Sequence, residues 1–308
     1  MSNTRGQDKQ GRRAAIRVAL IGFVTIFGKG WIGHAAASAP LDHTNEKILS
    51  MKQEAGLGLR YYNAGLCDQA LPHLMKAAAA GNSLCMAKLG VMYSYGKGVP
   101  SKNYAQALVW YRKAAAAGEP LALNNLANMY LYGRGIPKDE VQAVYWFRKA
   151  VHAGYSLSMC NLGSMYENGQ GGLPKDDAQA ASWYRKAADR GSAGAMTNLG
   201  NMYLDGRGGM PKDEAQGLAW YRKGADAGDP LAVSNIGTMY LNGRAGLPKD
   251  DREAANLYRI AAAAGEPCAM DGLSFMYHTG RGGLPKDDKQ ARYWYNWAVK
   301  LRPGLGQK

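Results

Sequence analysis

The chain has 308 residues, 46% of them hydrophobic and 20% charged, with a formal net charge of +14. That length could hold two globular domains. Five histidines and four cysteines lie scattered through it without a zinc-ligand spacing, so the composition offers no metal centre.

In chain order, the first element is a targeting segment. Residues 1–17 carry Arg5, Lys9, Arg12, Arg13 and Arg17 against one acid, Asp8. An apolar run of ten, Val18 to Phe27, comes next, and Ala35-Ala36-Ala37-Ser38-Ala39 offers a cleavage site after Ala37. This is a secretory signal in outline, predicted over residues 1–37. A membrane span needs about 20 apolar residues, and Lys29 interrupts any extension of the run. The alternative is an uncleaved inner-membrane anchor. Six basic residues and one acid leave with the segment, so the mature part carries about +9, which favours anionic partners through steering.

A linker and N-terminal capping helix are expected over 38–65, the stretch 53–65 resembling a second helix of the pattern below. A helix at 68–80 follows, with Pro72 and His73 at the slot where later copies place a tryptophan. From there a proline returns every 37 residues: Pro100, Pro137, Pro174, Pro211, Pro248 and Pro285, each closing a glycine-rich loop. A fixed period of this size marks stacked repeats and places function on an extended surface.

One unit runs from Lys175 to Pro211. Asp176 is placed to cap a first helix whose Ala180, Trp183, Tyr184 and Ala187 share a face. Gly191 ends it, and a second helix follows with Ala195, Leu199, Gly200 and Tyr203 on one stripe. The tryptophan slot reads Trp110, Trp146, Trp183, Trp220, Leu257 and Trp294 through the copies. No strand alternation competes. A last helix at 287–300, aromatic through Trp294, Tyr295 and Trp297, caps the open end before a tail at 301–308.

The pattern Ala-x-x-Trp-Tyr-Arg-Lys-Ala-Ala-x-x-Gly, then Ala-x-x-x-Leu-Gly-x-Met-Tyr-x-x-Gly-x-Gly-x-Pro-Lys-Asp, resembles the Sel-one-like repeat (SLR), a longer-looped relative of the tetratricopeptide repeat. It covers residues 66–300, six helix pairs and a capping helix. The resemblance implies an all-α fold, a right-handed α/α superhelical solenoid of stacked antiparallel helix hairpins. It also implies a concave groove used for binding other proteins, lined in related folds by the first helices.

The cysteines depart from the secreted members of that family, whose repeats are stapled by disulfides. Cys67 should lie opposite residue 95, not Cys85, and Cys160 and Cys268 are three repeats apart. No pair can reach the usual Cα separation of about 4.4–6.8 Å. Free, mostly core-facing thiols are expected.

Catalytic patterns are thin. Ser94-Tyr95-Gly96-Lys97 matches the S-x-x-K string of penicillin-interacting enzymes, yet it fills the slot that holds Leu131-Tyr132-Gly133-Arg134 one copy on, and no S-D-N or K-T-G string accompanies it. The glycine loops lead into Pro-Lys-Asp instead of the Lys-Ser/Thr of a phosphate loop, and the aspartate takes the helix amides for itself. Most of the tryptophans and tyrosines fall on the buried stripe, which argues against stacking on nucleic-acid bases. Two basic ladders recur: Lys97, Arg134, Arg207, Arg244 and Arg281 in the loops, broken by Gln170, and Arg112, Arg148, Arg185, Arg222 and Arg259 on the first helices.

Positions that differ between copies are free to specify a ligand. The residue before the tryptophan slot is Val109, Tyr145, Ser182, Ala219, Asn256 and Tyr293, and the second helices carry a polar row at Asn125, Asn161, Asn198 and Asn235. That row either clamps a peptide backbone or links repeats. Tyr145, Tyr293 and Trp297 are the candidate exposed anchors. The expectation is a non-catalytic, cofactor-free, monomeric scaffold that binds a protein or peptide and no nucleic acid. It would be exported, periplasmic or secreted, with no stable membrane span after cleavage. The alternatives are a β-lactamase-like or penicillin-binding hydrolase and a binder of an anionic envelope polymer.

Overall fold

Among the described residues every chain turn between helices contains glycine, and every first helix from α4 on is started by a side chain that accepts a hydrogen bond. In the computed structural model, which describes residues 43–302 (backbone only for 43–49), these two features punctuate an all-helical chain. The expected signal peptide at 1–37, the start of the linker and most of the tail lie outside the described residues.

Helix α1 spans His43–Asn63, longer than the stretch 53–65 anticipated. The helices that follow are α2 (Cys67–Ala79), α3 (Ser83–Tyr95), α4 (Tyr104–Ala116), α5 (Pro120–Tyr132), α6 (Glu140–His152), α7 (Ser156–Asn168) and α8 (Asp177–Ala188). Then come α9 (Ala193–Asp205), α10 (Glu214–Asp226), α11 (Pro230–Asn242), α12 (Asp251–Ala263), α13 (Pro267–Thr279) and α14 (Asp288–Leu301). The described residues contain no strand.

The caps follow from composition. Asn103, Asp139, Asp176, Asp213, Asp250 and Asp287 sit in extended conformation, and each side chain accepts a first-turn backbone N–H. The backbone N–H of each cap also donates to the carbonyl of the tyrosine in the preceding Met-Tyr pair, from Asn103 on Tyr93 at 2.8 Å to Asp287 on Tyr277 at 2.9 Å. That bond closes each proline loop the same way. The odd-numbered helices from α3 to α13 end on a glycine in the left-handed region, φ 63–68°, which a residue without Cβ adopts freely.

The loops come in two lengths. Gly96-Lys97-Gly98-Val99-Pro100 and Gly133-Arg134-Gly135-Ile136-Pro137 have five residues, whereas Gly169-Gln170-Gly171-Gly172-Leu173-Pro174 and the later ones have six. The proline period survives because the turn after α6 comes one residue earlier: Gly118 to Gly154 is 36 residues, and Gly154 to Gly191 is 37.

Packing corrects two expectations. The more extensive helix pairs are those joined by the proline loops, α3 with α4, α5 with α6 and so on to α13 with α14, and not those joined across the short glycine turns. Within a row, α3 meets α5, α9 meets α11 and α11 meets α13, while helices of the α4 row make no comparable contact with one another. In a curved stack the row whose members touch is the inner one. The second helices of the sequence pattern therefore form the inner wall, and the first helices the outer.

The aromatic side chain that goes inside is the one after the tryptophan slot: Tyr111, Phe147, Tyr184, Tyr221 and Tyr258 are at most 3% exposed. Each tyrosine ring lies against a glycine of the preceding helix, Gly90, Gly163, Gly200 or Gly237, where a Cβ would sit 2.4–3.1 Å from the ring. Ala127 takes that slot opposite Phe147. The tryptophans are only partly buried and lie with a lysine three residues on over the ring, as Lys186 over Trp183 at 4.5 Å and Lys223 over Trp220 at 4.2 Å. The core is a series of clusters shared between neighbours. One joins Ala87 of α3, Tyr111 of α4, Leu126 and Met129 of α5 and Ala150 of α6.

Candidate partner-binding surface

The asparagine row lies on the inner wall and is half-buried throughout. Asn125 and Asn161 line one cavity of about 410 Å3 between α3, α5 and α7. They share it with Asn128, Arg134, Lys102 and the tyrosines Tyr95 and Tyr132, which stand 65% and 60% exposed at its edge. No carboxylate lines it. Lys102 rests over the Tyr104 ring and Arg134 over that of Tyr132. Neither cation has a carboxylate partner among the described residues.

The row also links repeats. Asn161 Nδ2 donates to Asn124 Oδ1 at 3.1 Å, where Ser158 Oγ also donates at 2.9 Å. Asn198 Nδ2 points at Cys160 Sγ, 3.7 Å away, and Asn235 has no side-chain hydrogen bond among the described residues. Tyr145, by contrast, lines a separate cavity on the outer wall. Tyr293 and Trp297 are far along the chain on α14, where Trp297 stacks on Trp294 with centroids 5.7 Å apart and Tyr293 packs edge-on to both. The structure thus brings Asn125 and Asn161 together and leaves the three aromatic candidates elsewhere.

Four residues of the inner cavity escaped sequence reasoning: Asn128, Tyr95, Tyr132 and Lys102. A signal existed, since the position of Tyr95 and Tyr132 reads Asn168, Asp205, Asn242 and Thr279 in later copies.

The loop cations divide into two classes. Arg207 bonds Glu167 at 2.6 Å, Arg244 bonds Glu214 at 2.6 Å, and Arg281 bonds Asp251 through both Nε and Nη2 at 2.8 and 2.7 Å. Hydrogen bonding from these arginines holds the Glu214 and Asp251 carboxyls below their ordinary range. Arg134 has no such acid, because α4 starts with Tyr104-Ala105 where the later helices start with Asp or Glu; Lys97 shares its cavity with Asp68 at the start of α2 but forms no ion pair among the described residues.

The S-x-x-K string forms no site. Ser94 Oγ donates to the Tyr111 hydroxyl at 3.2 Å, and burial raises that phenol far above its ordinary range. Lys97 lines a different cavity, beside Tyr62 and Cys67. The four thiols are free, but they are not uniformly inward: Cys85 is buried, Cys67 and Cys160 are half-buried and Cys268 is exposed at the start of α13. Burial pushes the Cys85 and Cys160 thiols up to about 11, so neither is a ready nucleophile at neutral pH. No cluster of three metal-binding side chains occurs among the described residues, and no helix there is long and apolar enough to cross a membrane.

The residue pattern of the Sel1 repeat matches six times, at 83–119, 120–155, 156–192, 193–229, 230–266 and 269–301. These units pair the helices as the packing does, across the proline loop. A Sel1 repeat protein from Oxalobacter formigenes is 36% identical over 80% of this chain and 98% of its own, with a TM-score of 0.66. A protective antigen of uropathogenic Escherichia coli displaying an SLR fold is 32% identical over 85% of this chain, which spans 56% of that longer one, with a TM-score of 0.57. An immunity protein from Pseudomonas aeruginosa, 19% identical over 73% of this chain and 84% of its own with a TM-score of 0.53, shares the fold alone. No curated protein matches significantly.

Proposed function

The chain belongs to the Sel1 repeat family, and from that premise we propose that it is a non-catalytic scaffold that holds a protein or peptide partner along the inner wall of its stack. Proteins of this family are helical repeat scaffolds that generally mediate protein–protein interaction. The observation that carries the reading is the cavity between α3, α5 and α7. There the amides of Asn125, Asn128 and Asn161 stand ready for a peptide backbone, two exposed tyrosines offer apolar contact, and Lys102 and Arg134, each over a tyrosine ring, supply charge without a carboxylate partner among the described residues. The hydrogen bonds that Asn161 and Asn124 make between repeats fit this role, because they fix the amide positions before a ligand arrives.

The place of action in this reading is the bacterial envelope or the space outside it, with the basic and apolar segment 1–37 as the export signal. N-terminal sequencing of exported protein should then begin at Ser38, and a retained Met1 would argue for an anchor.

The test of binding uses residues 38–308 as bait on envelope and medium fractions at low and high salt. A discrete protein retained at high salt by the wild type and lost with Asn125→Ala/Asn161→Ala supports the inner-wall site. Equal retention by both proteins would move the site elsewhere. Retention only of salt-labile polymer would favour the anionic-polymer reading that the charge of the chain suggests.

A further inference from the structure

We propose that the outer wall carries a second docking site, on α6, for an acidic peptide segment bearing one bulky apolar side chain. The site goes beyond the inner-wall reading and does not depend on it.

A cavity of about 790 Å3 lies between α6, the end of α4 and the loop at Gly171–Leu173. The same groove recurs one repeat later on α8, at about 430 Å3, beside Gly208 and Met210. Comparison of the two copies within one chain shows what is special to the first. Val141 stands where α8 has Ala178, Val144 where it has Ala181, and Tyr145 where it has Ser182. His152 stands where α8 has Asp189. The first three changes add apolar surface to the groove, and the fourth removes a negative charge from its end.

The cations change partners too. On α8, Arg185 is engaged by the Tyr203 hydroxyl at 3.3 Å and by Met210 Sδ. Its counterpart Arg148 is exposed and has no hydrogen-bond partner among the described residues. Lys149 lies over the faces of Tyr145 and Trp146, 4.7 and 5.2 Å from their centroids. The adjoining loop is the one in which Gln170 replaces arginine, and Glu140 instead accepts from the Gly171 backbone N–H at 3.3 Å and pairs with Lys138 at 2.8 Å.

Charge and shape together select the occupant. Arg148, Lys149 and His152 line the groove and no carboxylate does, so its complement is anionic. Val141 and Tyr145 are 62% and 47% exposed, although Lys149 lies over the Tyr145 ring, so the complement also has an apolar anchor. The groove is open along its length, which keeps a peptide backbone in water; an acyl chain would require an enclosed channel.

The probe is a panel of end-blocked hexapeptides in which acidic residues flank one Leu, Phe or Trp, each compared with its Gln/Asn counterpart and with laurate. End-blocking removes a free terminal carboxylate that the inner wall could take. Binding is read by fluorescence anisotropy on residues 38–308. The triple variant Val141→Ala/Tyr145→Ser/His152→Asp installs residues that α8 already carries at these positions, and circular dichroism verifies its fold, with Tyr145→Ser alone as the milder version. An acidic member should bind at least about tenfold more tightly than its neutral counterpart and lose about tenfold in the triple variant, while Asn125→Ala/Asn161→Ala leaves it unchanged. The proposal is overturned if no acidic peptide outbinds its neutral form, if the outer-wall variants bind as the wild type does, or if laurate outcompetes every peptide.

Discussion

At Gly200 a methyl group has nowhere to go. Its Cβ would lie 2.5 Å from Tyr221 Cδ1, and that ring is 3% exposed and held by its hydroxyl on Asn201. Gly200→Ala should therefore destabilise by roughly 1–3 kcal/mol, the usual range for overpacking. Gly56, inside α1, has nothing within 4 Å of its Cβ position, so Gly56→Ala should stabilise by about 0.5–1 kcal/mol through helix propensity. Ala245 is the reverse case. It holds φ 56° where the neighbouring loops have glycine, and Ala245→Gly should stabilise by about 1 kcal/mol by relieving the left-handed cost. Chemical denaturation of the three variants checks all three signs, and a neutral Gly200→Ala would refute the account of how rings and glycines interlock. This interlock was half legible in sequence. The recurrent Trp-Tyr and Leu-Gly pairs marked the interface, and the shared face placed both aromatics toward it, but the periodicity did not say which of the two is fully buried. The smaller tyrosine goes inside because its ring fits over a glycine and its hydroxyl reaches a polar group on the facing helix.

Helices and loops pose a different question, which is what fixes one repeat on the next. In the C-terminal half the answer includes the loop arginines. Asp251 and Glu214 have carboxyls lowered by Arg281 and Arg244, so their contribution is present above the unfolded-state values and is lost as pH falls through the folded ones. Acid should loosen the α12–α14 end as Asp251 takes up its proton, and Arg281→Ala should remove that part of the pH dependence, leaving the part that His278 gives through Asp288 and leaving the α3–α7 end unaffected. Hydrogen exchange along the chain at neutral and acid pH resolves the two ends; uniform protection at both would contradict the assignment. In sequence these arginines formed an unbroken-looking ladder apart from Gln170. Their division into struts and unpaired cations was hidden because it depends on an acid of the previous repeat, Glu214 and Asp251 at helix starts for Arg244 and Arg281 and Glu167 near the end of α7 for Arg207, a relation across 30 to 40 residues that no local pattern displays.

For the whole molecule, the period, the helices from α2 on and their caps were readable, since each rests on local chemistry: proline, left-handed glycine, and a side-chain acceptor before each first helix from α4 on. The choice of inner wall was not. It depends on which row approaches its own copies, and that emerges only from stacking, so the aromatic and amide candidates, expected to share one groove, line separate surfaces. Both proposed sites lie between α3 and the loop after α7, although the stack continues to α14. If each repeat contacts only its neighbours, a distant copy is dispensable. The decisive measurement removes Lys212–Pro248, which joins Pro211 to Lys249 and keeps the loop sequence intact, and follows both unfolding and partner retention. The account predicts a folded, shorter helical protein with a slightly lower midpoint and undiminished binding at the α3–α7 end. Global unfolding, or loss of binding from a folded deletion, would contradict it.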